Sequence, residues 1–89
     1  MLVIFSPHAW AEFRQLQTEA PELALKLGLL IDDIRRHPFQ GLGKPEPLRH
    51  DLKGYWSRRI IVEHRLVYRV VGSGSEQRVE IAQCRYHYG

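Results

Sequence analysis

The apolar pattern of this chain changes period at Gly54, and that change limits it to a small set of folds. Upstream, Trp10, Phe13 and Leu16 recur at three-residue intervals. Leu23, Leu27, Leu30, Ile31 and Ile34 then mark one face of a second helix. Downstream the period falls to two, and Tyr55–Ile61, Arg65–Val71 and Val79–Tyr86 are rich in β-branched and aromatic residues. Helices segregated before strands predict an α+β domain rather than alternating β/α units.

Local signals set the boundaries. Leu2–Phe5 reads as a short buried strand. Ser6-Pro7 offers an N-cap followed by proline at the first helical position, and Ala20-Pro21 restarts a second helix. Arg35 and Arg36 complement the dipole in its last turn, and His37-Pro38 ends it. Phe39–Pro47 carries two glycines and two prolines, the mark of a loop with restricted backbone. Gly72-Ser73-Gly74-Ser75 closes a hairpin between the last two strands. The predicted order is β-α-α-β-β-β, with two helices on one face of a small, mainly antiparallel sheet. In the middle strand Leu66, Tyr68 and Val70 should face the helices, leaving Arg65, Val67 and Arg69 on the open face.

The 89 residues make one domain, spanning 1–89. A single cysteine, Cys84, leaves no internal disulfide and reads as a small buried hydrophobe. Met1–Phe5 lacks a basic start and a cleavage site, and no run nears the ~20 apolar residues of a membrane span. A cytoplasmic protein without a membrane segment is the expectation.

Net charge is +3, unevenly spread. Residues 1–34 hold two bases, Arg14 and Lys26, against five acids, a balance of −3. Residues 44–69 hold seven (Lys44, Arg49, Lys53, Arg58, Arg59, Arg65 and Arg69) against three acids, a balance of +4. Such asymmetry points to a polyanion, nucleic acid first, with a merely solvated arginine-rich sheet face as the alternative. The terminal run Cys84-Arg85-Tyr86-His87-Tyr88 brings an imidazole and two phenols to an end where chains usually fray.

Simpler roles compete with functional ones. Glu46 could be a loop carboxylate paired with Lys44, Arg65 a partner in a cross-strand ion pair, and His87-Tyr88 a frayed tail. His8, His37 and His50 read as surface or turn residues, and His64 as a structural neighbour of Arg65. Trp10 and Trp56 read as core or dimer-contact aromatics. A zinc site from Cys84, His87, His64 and His50 lacks paired-ligand spacing, and Gly41 and Gly43 fit no nucleotide-binding fingerprint.

The segments GKPEPL, GYWSRRI, EHRLVY and CRYHY, in that order along the whole chain, resemble the YoeB/Txe branch of the RelE-type bacterial toxins. The resemblance implies a RelE-like fold, a homodimer, no metal and no cofactor. It further implies a ribosome-dependent messenger-RNA endonuclease of a type II toxin–antitoxin pair, inhibiting translation and restrained by a YefM-type antitoxin. Operator DNA would be reached only through that antitoxin, since the chain shows no helix-turn-helix signature of its own. A member that binds RNA, ribosome or antitoxin without cutting is the alternative. By the same resemblance Glu46 matches the general base, His87 the general acid, Arg65 the phosphate-stabilising arginine and Tyr88 a phosphate-orienting or base-stacking phenol. Arg49, Arg59 and Glu63 match a supporting shell, and Lys44, Arg49, Lys53, Arg58 and Arg59 are the cations expected to dock on RNA or the ribosome. Position 49 is arginine where the family often has lysine, and Gly89 follows the tyrosine. The chemistry is that of metal-free RNA cleavage: a base for the 2′-hydroxyl, an acid for the leaving 5′-oxygen and cations for the phosphorane.

Overall fold

The hydroxyl of Ser6 starts the first helix by accepting the Ala9 N–H at 3.0 Å. In the computed structural model, which describes residues 1–86, strand β1 (Leu2–Phe5) leads into α1 (Pro7–Glu19) and α2 (Pro21–Arg36). Both helices begin on proline, as the sequence predicts. The Ser6 N–H also donates to Ile81 O at 2.9 Å, so the cap ties α1 to the sheet. Ser6→Ala is expected to cost ~1 kcal/mol, lowering the melting temperature by roughly 4–8 °C. Thermal unfolding by circular dichroism checks this, and an unchanged midpoint would show that the cap carries no stability.

The remaining strands are β2 (Glu46–Pro47), β3 (Trp56–Ile61), β4 (His64–Val71) and β5 (Arg78–Gln83). They form one five-stranded sheet in the order β1-β5-β4-β3-β2, antiparallel except for the parallel β1–β5 pair. The two helices cover one face. Leu16 of α1 and Leu27, Leu30 and Ile34 of α2 meet Ile60, Leu66, Tyr68, Val79 and Ile81 of the sheet in a common core. The α+β expectation holds, as does the inward set Leu66 and Tyr68, with Val70 partly buried against the core.

Three details differ from the sequence reading. β1 is an edge strand rather than a buried one: Leu2 and Ile4 are 70% and 43% exposed, while Val3 and Phe5 turn inward. Glu46-Pro47 is a two-residue strand rather than loop. The last strand stops at Gln83 rather than Tyr86. At Cys84 the backbone N–H leaves the ladder and donates to the Glu12 carboxylate of α1 at 2.9 Å, which turns the chain off the sheet.

Cys84 itself is fully buried, and burial pushes its thiol up to about 12. It is a packing residue and no nucleophile at neutral pH. Trp10 is half-exposed in an aromatic cluster with Phe5 and Phe13, whereas Trp56 packs on Phe39 at 4.8 Å between ring centroids. Among the described residues no helix is long and apolar enough to cross a membrane.

Candidate active site

Strand register assembles a site on the open face. Glu46 of β2 lies opposite Ser57 of β3, which lies opposite Val67 of β4. Opposed residues share a face, so Glu46, Ser57 and Val67 form one row across the sheet on the side away from the helices. The expectation that Val67 lies open there is corrected, since Ser57 and Val67 are both buried and only Glu46 of the row is exposed. Two residues along, Arg59 of β3 faces Arg65 of β4 in a second row on the same face. Strand spacing puts the Glu46 and Arg65 backbones about 12 Å apart, a gap that their side chains and one phosphodiester can fill.

The Arg59–Arg65 pairing is electrostatically uncomfortable. Like charges directly opposite on neighbouring strands destabilise a sheet. The Arg65 Nε is buried and finds no hydrogen-bond partner among the described residues. Farther along the same strand the situation is reversed. Arg69 donates to Glu80 at 2.7 Å, Arg78 joins from the other side at 3.1 Å, and the Arg69 guanidinium lies over the Tyr55 ring. Hydrogen bonds from Arg69 and then Arg78 hold the Glu80 carboxyl below the usual carboxylate range. In that half of the face the arginine donors have a carboxylate partner, though two cations share the single Glu80. The other half keeps an arginine donor to spare.

The loop bearing Glu46 is fixed by glycine chemistry and by Arg58. Gly43 has φ of 79°, and its carbonyl accepts the Arg59 N–H at 2.7 Å. A Cβ there would sit 3.0 Å from Arg59 O and 3.1 Å from both Arg58 Cβ and a Leu30 methyl. No larger residue lets the loop lie this close to β3. Glu46 follows three residues later, in register with Ser57. From Glu46 a groove of about 920 Å³ runs past Arg49 to Lys53, following the helical turn His50–Leu52.

The C-terminal run is tied down through Tyr86. The Arg65 N–H donates to Tyr86 O at 3.1 Å, and the Tyr86 N–H donates to His64 Nδ1 at 2.8 Å. The Gln83 amide donates to Arg85 O and Tyr86 O. Arg85 is clamped to α1 by Glu19 at 2.7 Å and Gln15 at 3.0 Å. The run is therefore anchored as far as Tyr86; the frayed-tail reading concerns His87 and Tyr88. His87, Tyr88 and Gly89 lie outside the described residues.

Lys44, Arg49, Lys53, Arg59 and Glu63 are all exposed, and Glu63 occupies the β3–β4 turn beside the arginine pair. Arg58 is not exposed, and its expected role in docking RNA is corrected. Its side chain is fully buried and shares the helix-facing side of β3 with Ile60. All five guanidinium N–H groups are spent. They reach Tyr68 Oη, Asp33 Oδ2 and the carbonyls of His37, Gln40 and Leu42, at 2.5–3.2 Å. Arg58 instead builds the loop that leads to Glu46. Sequence reasoning also missed Glu12, a buried carboxylate on the apolar side of α1 that serves the Cys84 turn. Among the described residues no cluster of His, Cys, Asp or Glu could hold a metal ion.

Comparison with known proteins finds relatives along nearly the whole chain. Toxin YoeB of Escherichia coli K12 is 48% identical over 88 residues, covering 99% of this chain and all of that protein. A solved YoeB/ParE toxin from Agrobacterium tumefaciens is 51% identical, with a TM-score of 0.97 over 99% of this chain and all of the other. Staphylococcus aureus YoeB has been solved as a dimer, 38% identical with a TM-score of 0.85 over 99% and 98% of the two chains. It has also been solved in a heterotetrameric YoeB–YefM toxin–antitoxin complex, 40% identical with a TM-score of 0.86 over 99% of each chain. The RelE-like fold of two helices on a mostly antiparallel sheet is common to these relatives. A family model for these toxins matches residues 5–88, so the four motifs, the sheet register and the anchored tail converge on one conclusion: this chain belongs to the YoeB-like toxins of bacterial type II toxin–antitoxin systems.

Proposed function

We propose that the chain is a ribosome-dependent messenger-RNA endonuclease that cuts without a metal. The observation that carries the reading is the buried, unpartnered Nε of Arg65 in a like-charge pair with Arg59, one row from Glu46. A phosphodiester relieves that pairing and supplies the missing acceptor. The planar guanidinium fork suits two non-bridging oxygens.

The mechanism follows from the residue chemistry. Glu46 takes the proton of a ribose 2′-hydroxyl, whose oxygen attacks the adjacent phosphorus. Arg65 and Arg59 stabilise the charge that develops on the phosphorane. His87 protonates the departing 5′-oxygen, leaving a 2′,3′-cyclic phosphate and a free 5′-hydroxyl, and Tyr88 orients the phosphate or stacks on a base. Arg49 and Lys53 line the Glu46 groove, where the RNA or ribosome would lie, with Lys44 two residues before Glu46 and Glu63 in the β3–β4 turn. By analogy with the Staphylococcus aureus assemblies, the chain forms a homodimer and binds a YefM-type antitoxin that covers this cationic face.

Glu46→Gln, Arg65→Ala and His87→Gln are each expected to lower cleavage of a translated message by about 10²–10⁴-fold. For Glu46, which is exposed, the melting temperature should stay close to the parent's, since such substitutions shift stability by about ±0.5 kcal/mol. For the other two, thermal unfolding separates lost chemistry from lost fold. Cleavage-site mapping on a message in translation, beside thermal unfolding, checks both points. Undiminished cleavage by the Glu46 and His87 variants would remove the acid–base assignment and favour a binding protein that does not cut.

A further inference from the structure

The start of β4 carries a side chain in the place of a sheet hydrogen bond. Tyr86 is held on both backbone groups, its C=O by the Arg65 N–H and its N–H by the imidazole Nδ1 of His64. His64 and Tyr86 rings also meet edge to face, with centroids 5.3 Å apart. Tyr86 has φ of 64°, a left-handed conformation that is uncommon for a residue with a side chain. Such a conformation persists only where neighbouring contacts enforce it. Here the contacts come from two consecutive residues of β4, and one of them is Arg65.

We propose that His64 is a positioning residue for cleavage, fixing the backbone of Tyr86, the residue that precedes His87 in sequence, beside Arg65. The proposal rests on the catalytic reading above and extends it to a residue with no acid–base duty. The bond requires Nδ1 as acceptor, so His64 acts as the Nε2–H tautomer. Arg65 is then tied to the tail twice, through its own amide and through the side chain of its neighbour. Gln83 completes the hold by donating to the Arg85 and Tyr86 carbonyls at 2.9 and 3.1 Å. Misplacing a reacting group by about 1 Å can cost on the order of 10²-fold in rate, so an anchor at this point acts on turnover rather than on binding.

Two variants separate positioning from simple structural support. His64→Leu keeps the bulk but removes the acceptor. His64→Asn offers Oδ1 at the same bond distance from the backbone as Nδ1. On programmed ribosomes His64→Leu is expected to lower kcat by about 10–100-fold, with little change in KM, and His64→Asn to recover most of the loss. By NMR, the Tyr86 amide should exchange with solvent about tenfold or more faster in His64→Leu, and return toward the parent rate in His64→Asn. An unchanged Tyr86 exchange rate in His64→Leu, or an Asn variant as impaired as the Leu variant, overturns the proposal. His87→Gln is measured alongside. If it cleaves at the parent rate, the catalytic reading falls and takes the positioning role with it. If it is inactive while His64→Leu cleaves normally, only the positioning role is lost.

Discussion

Cleavage of a message in a programmed ribosome is expected to be on the order of 10³-fold or more faster than cleavage of the same RNA free in solution. Of the proposed reacting groups, Glu46 and Arg65 sit on the sheet face away from the helices, on strands separated by β3. Attack by a 2′-hydroxyl in line with the leaving oxygen requires the ribose and phosphate to be splayed apart, and such orientation accounts for roughly 7–11 kcal/mol of barrier. The groove beside Glu46 is lined by a single loop and offers no opposing wall to bend a strand. On the proposed function, a message bent by the ribosome would supply that geometry, with Lys44, Arg49 and Lys53 exposed for contact with phosphates. Engagement should weaken as salt rises, because neutralised phosphates release counterions. Single-turnover rates on programmed ribosomes and on naked RNA decide the matter. Equal rates would mean that the domain shapes its own substrate, and ribosome dependence would have to be abandoned.

The largest stability effect is expected at Arg58. Arg58→Met leaves the Asp33 carboxylate without its cation and strands three loop carbonyls, a loss of roughly 3–5 kcal/mol. For a domain of this size that corresponds to a melting temperature lower by about 12 °C or more. Arg58→Lys restores the charge but brings three donors where five are used, so it should remain well below the parent. The same site gives acid sensitivity. The Leu42 N–H and then the Arg58 guanidinium hold Asp33 below its ordinary value. A folded-state value lower than the unfolded one contributes stability above the unfolded value, and that stability is lost as pH falls through the folded value. The parent should therefore lose stability below the ordinary aspartate range, and Asp33→Asn should flatten that part of the profile. Thermal melts across an acid series test both statements. An Arg58→Met variant as stable as the parent would show that the buried guanidinium is replaceable by hydrocarbon.

Which features were legible in the sequence depended on how local their causes are. The Ser6-Pro7 and Ala20-Pro21 helix starts are written in adjacent residues, and the α2 stripe from Leu23 to Ile34 is a simple period. β2 left no such trace. Two residues make a strand only because Gly43 and Leu48 flank them with bonds to β3 and its approach, Arg59 N–H to Gly43 O and Leu48 N–H to Tyr55 O. The end of β5 was hidden for a similar reason, since Cys84-Arg85-Tyr86 has strand-like composition but is turned by Glu12, 72 residues earlier. Arg58 could have been placed by alternation alone, because it shares a face with Ile60; its charge outweighed its position in the reading. The functional motifs were legible as a set. The division of the face into a half whose arginines meet a carboxylate and a half whose arginines face each other was not, because Glu80 meets Arg69 only through strand pairing.

The sheet order β1-β5-β4-β3-β2 also governs when this protein can exist at all. β5 is made after every strand it touches, yet it is inserted between β1 and β4. Until it emerges during synthesis, β1 has no strand partner, β4 has an open edge, and the Ser6 N–H lacks the Ile81 carbonyl. Contacts so distant in sequence carry the entropy of closing a long loop and form late. A nascent chain stopped before β5 can pair β2, β3 and β4 but lacks the Cys84–Tyr86 run that His64 and Arg65 hold in place. The fold that closes the sheet is thus available only once β5 has been made.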